Sequence, residues 1–286
     1  MRSAPVRVHK HILYEASVQG TDVDIALFNR VYRKANGGLP LTLREDFCGT
    51  ALLVRDWVLS RPDRRAWGVD LHRPTLDWAR KHRLASLGGA AGRATLLEEN
   101  VLTVQTPPVD LVAALNFSYM IFKERALMLR YFRSVRAGLA QNGIFVLDAF
   151  GGPHSQQVMM ESKEIPAGRD VEGTPYPAFT YCWEQAAFNA VNQNILCHIH
   201  FRGKKLPPME KTFTYDWRLW SITELRDLLH EAGFTRVDCY FEGWSDAHGA
   251  SDGVLRKRSS YEGMDAWIVY LACHTGHDSV DNKMTT

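Results

Sequence analysis

The stretch Leu41-Thr42-Leu43-Arg44-Glu45-Asp46-Phe47-Cys48-Gly49-Thr50-Ala51-Leu52-Leu53 decides the fold. Leu41–Glu45 reads as a short buried strand, Cys48-Gly49-Thr50 as a tight turn, and Leu52-Leu53 as the first turn of a helix. A second strand-like run, Ala66-Trp67-Gly68-Val69, ends in Asp70, about twenty-five residues after Glu45. That spacing is one strand–helix–strand unit with an acid closing each strand. A nucleoside ligand needs such a pair of acids in a nucleotide-binding α/β sheet.

Outward from this unit the same rhythm continues. The helix after Gly49 carries Leu52, Leu53, Val54, Trp57 and Val58 and stops near Ser60-Arg61-Pro62-Asp63. Pro74 opens a helix with Leu76, Ala79, Arg80 and Leu84 on one side, closed by Gly88-Gly89. Ala94–Glu98 is a third strand, followed by Glu99-Asn100-Val101. Val109–Leu115 is nearly continuous in apolar residues, as a central parallel strand covered on both faces must be. Lys123–Ala140 has helical spacing at Leu127, Tyr131, Val135 and Leu139, Asn142-Gly143 ends it, and Ile144–Phe150 is a fifth strand. Five strands alternating with helices over residues 41–150 predict a doubly wound parallel sheet.

The flanks differ. Residues 1–11 are basic and irregular and read as a loose arm, and Leu13–Ala35 places Val23, Leu27 and Val31 at four-residue steps, a helix or a pair of short ones. After Gly151-Gly152-Pro153 the period changes to two. Residues 178–217 predict an antiparallel meander of about three strands, punctuated by Arg202-Gly203-Lys204 and Pro207-Pro208. Ser221 and Glu224 make a capping box for a helix that ends at Gly233. Val237–Phe241 and Ala266–Ala272 are two more strands, separated by a Gly/Ser/Asp-rich loop over 243–263.

Composition narrows the function classes. With 286 residues there is room for one large domain, or for a core with a substantial insertion. A net charge of +2 gives no basic track for a nucleic acid, and Arg256-Lys257-Arg258 is only a short solvated cluster. Five scattered cysteines without a C-x-x-C pair predict reduced thiols and a cytoplasmic setting. Met1–Glu15 has no apolar signal-peptide segment, and no apolar run reaches membrane-spanning length.

The alternating strands, the Gly-containing turn after strand one and the acid ending strand two resemble class I S-adenosylmethionine-dependent methyltransferases, over roughly residues 13–150 and 218–273. The resemblance implies an α/β, Rossmann-like, mostly parallel seven-stranded sheet with helices on both faces. It divides the chain into an N-terminal helical lid (1–40), a cofactor-binding core (41–152 and 218–273), an antiparallel insertion covering the substrate pocket (153–217) and a flexible tail (274–286). In the family's Gly-x-Gly-x-Gly turn, the first glycine is replaced here by Phe47 and the third by Ala51. The acid of that turn is Glu45 or Asp46. Strand alternation allows only one of them to face the crevice, and the aligned position favours Glu45.

The resemblance further implies S-adenosylmethionine as cofactor, with Glu45, Asp46, Cys48, Gly49, Asp70, Leu71, Asn100, Val101, Asn116 and Phe117 as its contacts. Asp70 matches the ribose-binding acid, because two adjacent hydroxyls need a bidentate acceptor. Asn100 and Val101 fall where adenine is read, and Asn116-Phe117-Ser118 where methionine and substrate meet. Cys48 reads as packing in the turn rather than as a nucleophile. Asn116-Phe117-Ser118-Tyr119 is similar to the Asn-Pro-Pro-Tyr motif of amino-group methyltransferases but lacks both prolines, so an ordinary strand-to-helix loop is preferred.

Tyr119, His154 and Asn116 are the candidates for steering an acceptor proton, His154 because histidine titrates near neutrality and follows strand five. Tyr14, Tyr119 and Trp217 are the candidates for substrate contact, since aromatic rings can hold a cationic amine. His198 and His200 share a strand face, but no third ligand lies near, and no metal is expected. The expected reaction is methyl transfer to a small-molecule acceptor by in-line displacement. The alternatives are a protein or RNA methyltransferase, and a methyltransferase-fold binding protein without chemistry. The oligomeric state stays open.

Overall fold

Strand β1 (Thr42–Asp46) pairs in parallel with β2 (Arg65–Asp70) on one side and with β4 (Val109–Ala114) on the other, so Glu45 lies opposite both Gly68 and Ala113. β3 (Ala94–Glu98) adds in parallel beyond β2, and β5 (Leu139–Gly151) in parallel beyond β4. The late strands β12 (Arg236–Ser245), β13 (Ala250–Lys257) and β14 (Trp267–His274) complete an eight-stranded sheet of order β13-β12-β14-β5-β4-β1-β2-β3, in which β12 runs antiparallel to both β13 and β14. The order reverses between β1 and β4, and this is where doubly wound sheets open a crevice at the strand ends. All seven expected strands are present. The eighth, β13, lies inside what the sequence predicts to be a loop over 243–263.

The computed structural model describes residues 7–245 and 250–276. Most of the expected basic arm (residues 1–6), most of the expected tail (277–286) and part of the 243–263 loop (246–249) lie outside the described residues.

The N-terminal pattern resolves into two helices, α1 (Lys10–Val18) and α2 (Thr21–Asn36). α2 ends where Gly37 takes φ +77°, a conformation that glycine adopts without penalty. Leu27, Phe28 and Val31 of α2 pack with Val54, Trp57 and Val58 of α3 (Leu52–Ser60) and with Leu43, Leu111 and Ile144 of the sheet. Val23, read as an apolar position, is 38 % exposed, and its neighbour Asp24 is buried. The inward face of α2 is therefore 24-27-28-31.

The helix after Asp70 does not run unbroken to Gly88. It is α4 (Arg73–Ala79), loosened into a π turn over Arg80–Leu84 and tightened over Ala85–Arg93, with Gly88 at φ +53° in the kink. α5 (Arg125–Gly138) ends earlier than the predicted Asn142-Gly143 stop. A Cβ at Gly138 would stand 2.4 Å from Nη1 of the buried Arg44, so only glycine fits there. α6 (Ile222–Glu231) carries the predicted capping box: Glu224 N–H donates to Ser221 Oγ at 3.2 Å and Ser221 N–H to Glu224 Oε2 at 2.9 Å.

A second compact unit is built from the chain up to Gly20, Met120–Lys123 and Gly151–Leu219. α1 belongs to this unit and α2 to the sheet unit, so the two N-terminal helices do not form one element. Its sheet, in the order β11-β10-β9-β6, holds three strands where the meander over 178–217 is predicted, β9 (Phe179–Asn189), β10 (Asn194–Arg202) and β11 (Met209–Arg218), and a further one ahead of them, β6 (Met159–Ile165). The short strands β7 (Gly168–Arg169) and β8 (Pro175–Tyr176) pair with each other. β6 is an edge strand of sequence Met-Met-Glu-Ser-Lys-Glu-Ile, mostly exposed, and its composition carries no alternation to read. Leu13 of α1 is buried among Ile165, Phe179, Ile199, Phe201 and Leu206.

Candidate functional site

The two acids of β1 part ways. Asp46 is locked: Arg44 Nε donates to its Oδ1 at 2.8 Å, Arg44 Nη2 to its Oδ2 at 3.1 Å, and the Tyr131 hydroxyl to Oδ2 at 3.0 Å. The ion pair is fully buried, and a carboxylate this occupied has no reason to face a ligand. Its expected role as a cofactor contact is corrected to a structural one. Glu45, 5 % exposed, accepts the Val54 N–H at the start of α3, while its Oε2 is buried without a hydrogen-bond partner. Burial first, and then the nearby Asp24, Asp70 and Asp46, push its carboxyl well above the usual range.

The turn that follows keeps the backbone path of a three-glycine turn without two of the glycines. Phe47 and Ala51 both sit at φ +59°, with Gly49 at φ +49° between them. A non-glycine residue held there costs roughly 1–2 kcal/mol, so the conformation is enforced by its surroundings. Cys48 N–H donates to Val69 O at 3.0 Å, and Gly49 N–H to Asp70 Oδ2 at 2.9 Å. The Phe47 ring packs edge-on against Tyr131, centroids 5.7 Å apart. The Cys48 thiol lies where a Cβ on Gly68 would be, 2.9 Å away, and burial pushes its pKa well up, so it packs and does not attack. Thr50 Oγ1, like Glu45 Oε2, is buried without a hydrogen-bond partner.

Asp70 is partly exposed at the end of β2. Besides Gly49 N–H on Oδ2, its Oδ1 takes the His72 N–H at 2.8 Å. Each carboxylate oxygen has a second acceptor site, so the pair can still take two hydroxyls. Leu71 beside it is 65 % exposed. Asn100 caps its own turn, with Oδ1 accepting the Leu102 N–H at 2.9 Å. Its side chain is exposed, and Val101 is buried.

After β4, Asn116 (φ +55°) and Phe117 (φ +59°) form a second left-handed pair. Both N–H groups donate to the buried Asp148 of β5, each at 2.9 Å. Burial raises the Asp148 carboxyl to about 7, against the lowering effect of those two bonds. Phe117 packs on Phe150, centroids 4.7 Å apart.

Tyr119 is a correction. It is fully buried, its hydroxyl donates to Asp148 O at 2.7 Å, and burial pushes its pKa well up. It is a core residue, neither proton carrier nor substrate contact.

Other expected residues lie in the insertion unit. His154 sits in a short helical turn at Pro153–Gln156, where its carbonyl accepts from Gln185 Nε2 at 2.8 Å. Tyr14 lies 5.0 Å from Phe213, and Trp217 stacks on Tyr215 at 4.4 Å. His198 bonds Thr214 at 2.9 Å, and His200 is held between Glu184, at 2.9 Å, and Glu210. Among the described residues no group of three or more side chains gathers that could hold a metal ion.

Two functional candidates escaped the sequence reading, Asp148 and Asp24. Each had a signal: an acid inside the apolar run Ile144–Phe150, and an acid on the apolar stripe 24-27-28-31. Burial raises Asp24 to about 7, and the Tyr270 hydroxyl donates to its Oδ1 at 3.1 Å.

No protein-family model matches the chain, and no curated protein matches its sequence. Solved structures match over nearly its whole length. An amino pentose methyltransferase of calicheamicin biosynthesis from Micromonospora echinaspora, CalS10, has a TM-score of 0.65 at 14 % identity, covering 95 % of this chain and 98 % of that one. An S-adenosylmethionine-dependent methyltransferase from Clostridium acetobutylicum gives 0.62 at 15 %, covering 93 % and 95 %. The sugar N-methyltransferase KedS8 from a Streptoalloteichus species gives 0.59 at 16 %, covering 94 % and 98 %. The chain therefore has the fold of these Rossmann-like methyltransferases, antiparallel insertion included. Among the described residues no helix is long and apolar enough to cross a membrane.

Proposed function

We propose that the protein is a cytoplasmic S-adenosylmethionine-dependent methyltransferase acting on a small-molecule acceptor. The observation that carries the reading is the buried Glu45 Oε2, an acceptor without a donor, one turn away from Asp70 in a methyltransferase fold. The residues present fit the cofactor: Asp70 supplies a bidentate acceptor for the ribose hydroxyls, and the Gly49–Thr50 backbone offers a close approach. Glu45 and Thr50 supply orphaned polar atoms for the amino-acid part.

The cofactor supplies a methyl group on a positively charged sulfur, already a good leaving group. What remains for the chain is alignment and exclusion of water. Asp148 fixes the Asn116–Phe117 turn, so the Asn116 side chain is carried on a pinned backbone. His154 is proposed as the group that accepts a proton from the acceptor, and Tyr14 and Trp217 as aromatic contacts to it. Asn100 and Val101 are proposed at the adenine, with backbone groups carrying the recognition, since the Asn100 side chain is spent on its own turn. The structural neighbours that act on amino sugars favour a small acceptor bearing an amine.

Calorimetric titration with S-adenosylmethionine and S-adenosylhomocysteine tests the reading. Binding of both in the micromolar range, lost in Asp70→Ala, is expected. No binding of either at millimolar ligand would sink it. Turnover of labelled methyl groups onto a panel of amino sugars then identifies the acceptor, and binding without turnover on any acceptor would leave a cofactor-binding protein without chemistry.

A further inference from the structure

The insertion unit contains a buried glutamine whose amide is spent on the backbone of another segment. Gln185 of β9 is 4 % exposed, and its Nε2 donates to His154 O at 2.8 Å and to Gln157 O at 2.9 Å. A primary amide nitrogen has two N–H donors, so both are used. The two carbonyls belong to the turn Pro153–Gln156, which carries His154, and to the residue that ends it. Inside the turn, Ser155 Oγ donates to Gly152 O at 2.7 Å and Gln157 N–H to His154 O at 3.1 Å. Those bonds close the turn on itself, whereas Gln185 ties it to the sheet.

The register of the sheet places Gln185 for this. Leu196 of β10 lies opposite Ala187 of β9, but Cys197 lies opposite Gln185, so Ala186 bulges out of the pairing. A bulge bends its strand and re-aims the side chains beside it. Gln185, Cys197 and Tyr215 form one row across β9, β10 and β11, and Trp183, Ile199 and Phe213 form the next. Directly paired residues share a face, and so does Trp217, two residues along from Tyr215. The ring contacts agree, with Trp183 and Trp217 centroids 6.2 Å apart and Tyr14 packed on Phe213. The turn that carries His154 and the aromatic residues proposed to contact the acceptor are therefore assembled on one face of one sheet, all within the insertion unit.

We infer that Gln185 is a positioning residue: by tying the His154 turn to the aromatic face of the insertion sheet, it sets the imidazole beside an acceptor held at Tyr14 and Trp217. The imidazole there takes the proton that the acceptor's amine loses on methylation and returns it to solvent. The inference rests on the reading of His154 above and adds a residue that acts through the turn rather than on the acceptor. A base displaced by about 1 Å can lose up to about a hundredfold in rate. A glutamine that only stabilises the sheet would have the same effect whatever residue stands at position 154.

A double-mutant cycle on the full chain separates the two roles. Its readout is transfer of labelled methyl groups from S-adenosylmethionine onto the panel of amino sugars, with S-adenosylhomocysteine binding as the control for folding. Gln185→Met keeps the length of the side chain and removes both donors. It should lower kcat about tenfold or more and leave KM and S-adenosylhomocysteine affinity within about twofold. In a His154→Ala background the same change should cost less than about twofold, because the group it serves is gone. Gln185→Glu, similar in shape but with an acceptor facing the two carbonyls, runs the same cycle if the methionine variant does not fold. Equal losses in the two backgrounds overturn the inference, as does an unchanged kcat in the single Gln185 variant. If His154→Ala keeps full turnover, or if no amino sugar is methylated while S-adenosylhomocysteine still binds, the reading of His154 fails and the inference falls with it. That result is distinct from a His154 that works without Gln185.

Discussion

The turns after β1 and β4 are built alike and anchored differently. Each holds two non-glycine residues in the left-handed region, Phe47 and Ala51 in one, Asn116 and Phe117 in the other. Each is pinned by a carboxylate from the adjacent strand: Asp70 of β2 takes the Gly49 N–H, and Asp148 of β5 takes those of Asn116 and Phe117. Both carboxylates accept an N–H on each oxygen, but Asp70 is partly open to solvent and takes one of its two from His72, whereas Asp148 is buried and takes both from its turn. One carboxylate is left available to a ligand, and the other is consumed in holding a strained backbone. A strand-end acid is therefore not a binding residue by position alone; its exposure to an incoming ligand decides.

Removing the consumed carboxylate should have the largest effect. Asp148→Ala leaves two N–H groups without acceptors, and stability should fall by about 2–5 kcal/mol in urea unfolding. Asp148→Asn keeps one acceptor and should recover about half. A loss under about 1 kcal/mol for the alanine variant would show that the turn holds itself.

Acidity comes next. Asp148 and Asp24 both have folded pKa values raised from 3.8 to about 7. Between those values the unfolded chain binds fewer protons than the folded one, so stability falls as pH rises. The chain without cofactor should therefore lose about 2–3 kcal/mol between pH 6 and pH 8. Asp24→Asn should flatten the profile. A melting temperature that rises over this range contradicts the burial of these acids.

Smaller effects separate the two turns further. Phe47→Val puts a β-branched residue at φ +59° and should cost about 1–3 kcal/mol. Phe47→Gly relieves the backbone while losing the Tyr131 contact, so it should stay within about 1 kcal/mol of wild type. The smallest stability change, under about 1 kcal/mol, is expected for Asp70→Asn, which should nevertheless weaken S-adenosylmethionine about tenfold. If Asp70→Asn instead destabilises as much as Asp148→Ala, the distinction between the two acids collapses.

Much of the sheet unit was legible because its strands are apolar runs with punctuated ends. Ala94–Glu98 coincides with β3, and the Ser221–Glu224 capping box is formed as read. What escaped was set by partners distant in the chain. β6 and β13 are edge strands with little apolar face, Ile165 and Leu255 being buried in them, so they look like loops until a neighbour supplies the hydrogen bonds. Gly138, the last residue of α5, faces Arg44, nearly a hundred residues earlier, a constraint that no local signal reports. Tyr119 and Asp46 had the right residue types at strand ends, but their hydroxyl and carboxylate were already taken by Asp148 O and Arg44. Choosing between Glu45 and Asp46 needed that bookkeeping of partners, which strand alternation alone could only halve.

The placement of Leu13 also bears on how the molecule is made. The side chains that bury Leu13, from Ile165 to Leu206, follow it in the chain by roughly 150–190 residues. At about 5–20 residues per second, α1 waits on the order of 10–40 seconds for its partners. Throughout that interval it is an amphipathic segment without a core, while the strands β1 to β5 are being made. The sheet unit can begin to condense during synthesis. The insertion unit closes only when the last of its strands, β11, has been delivered.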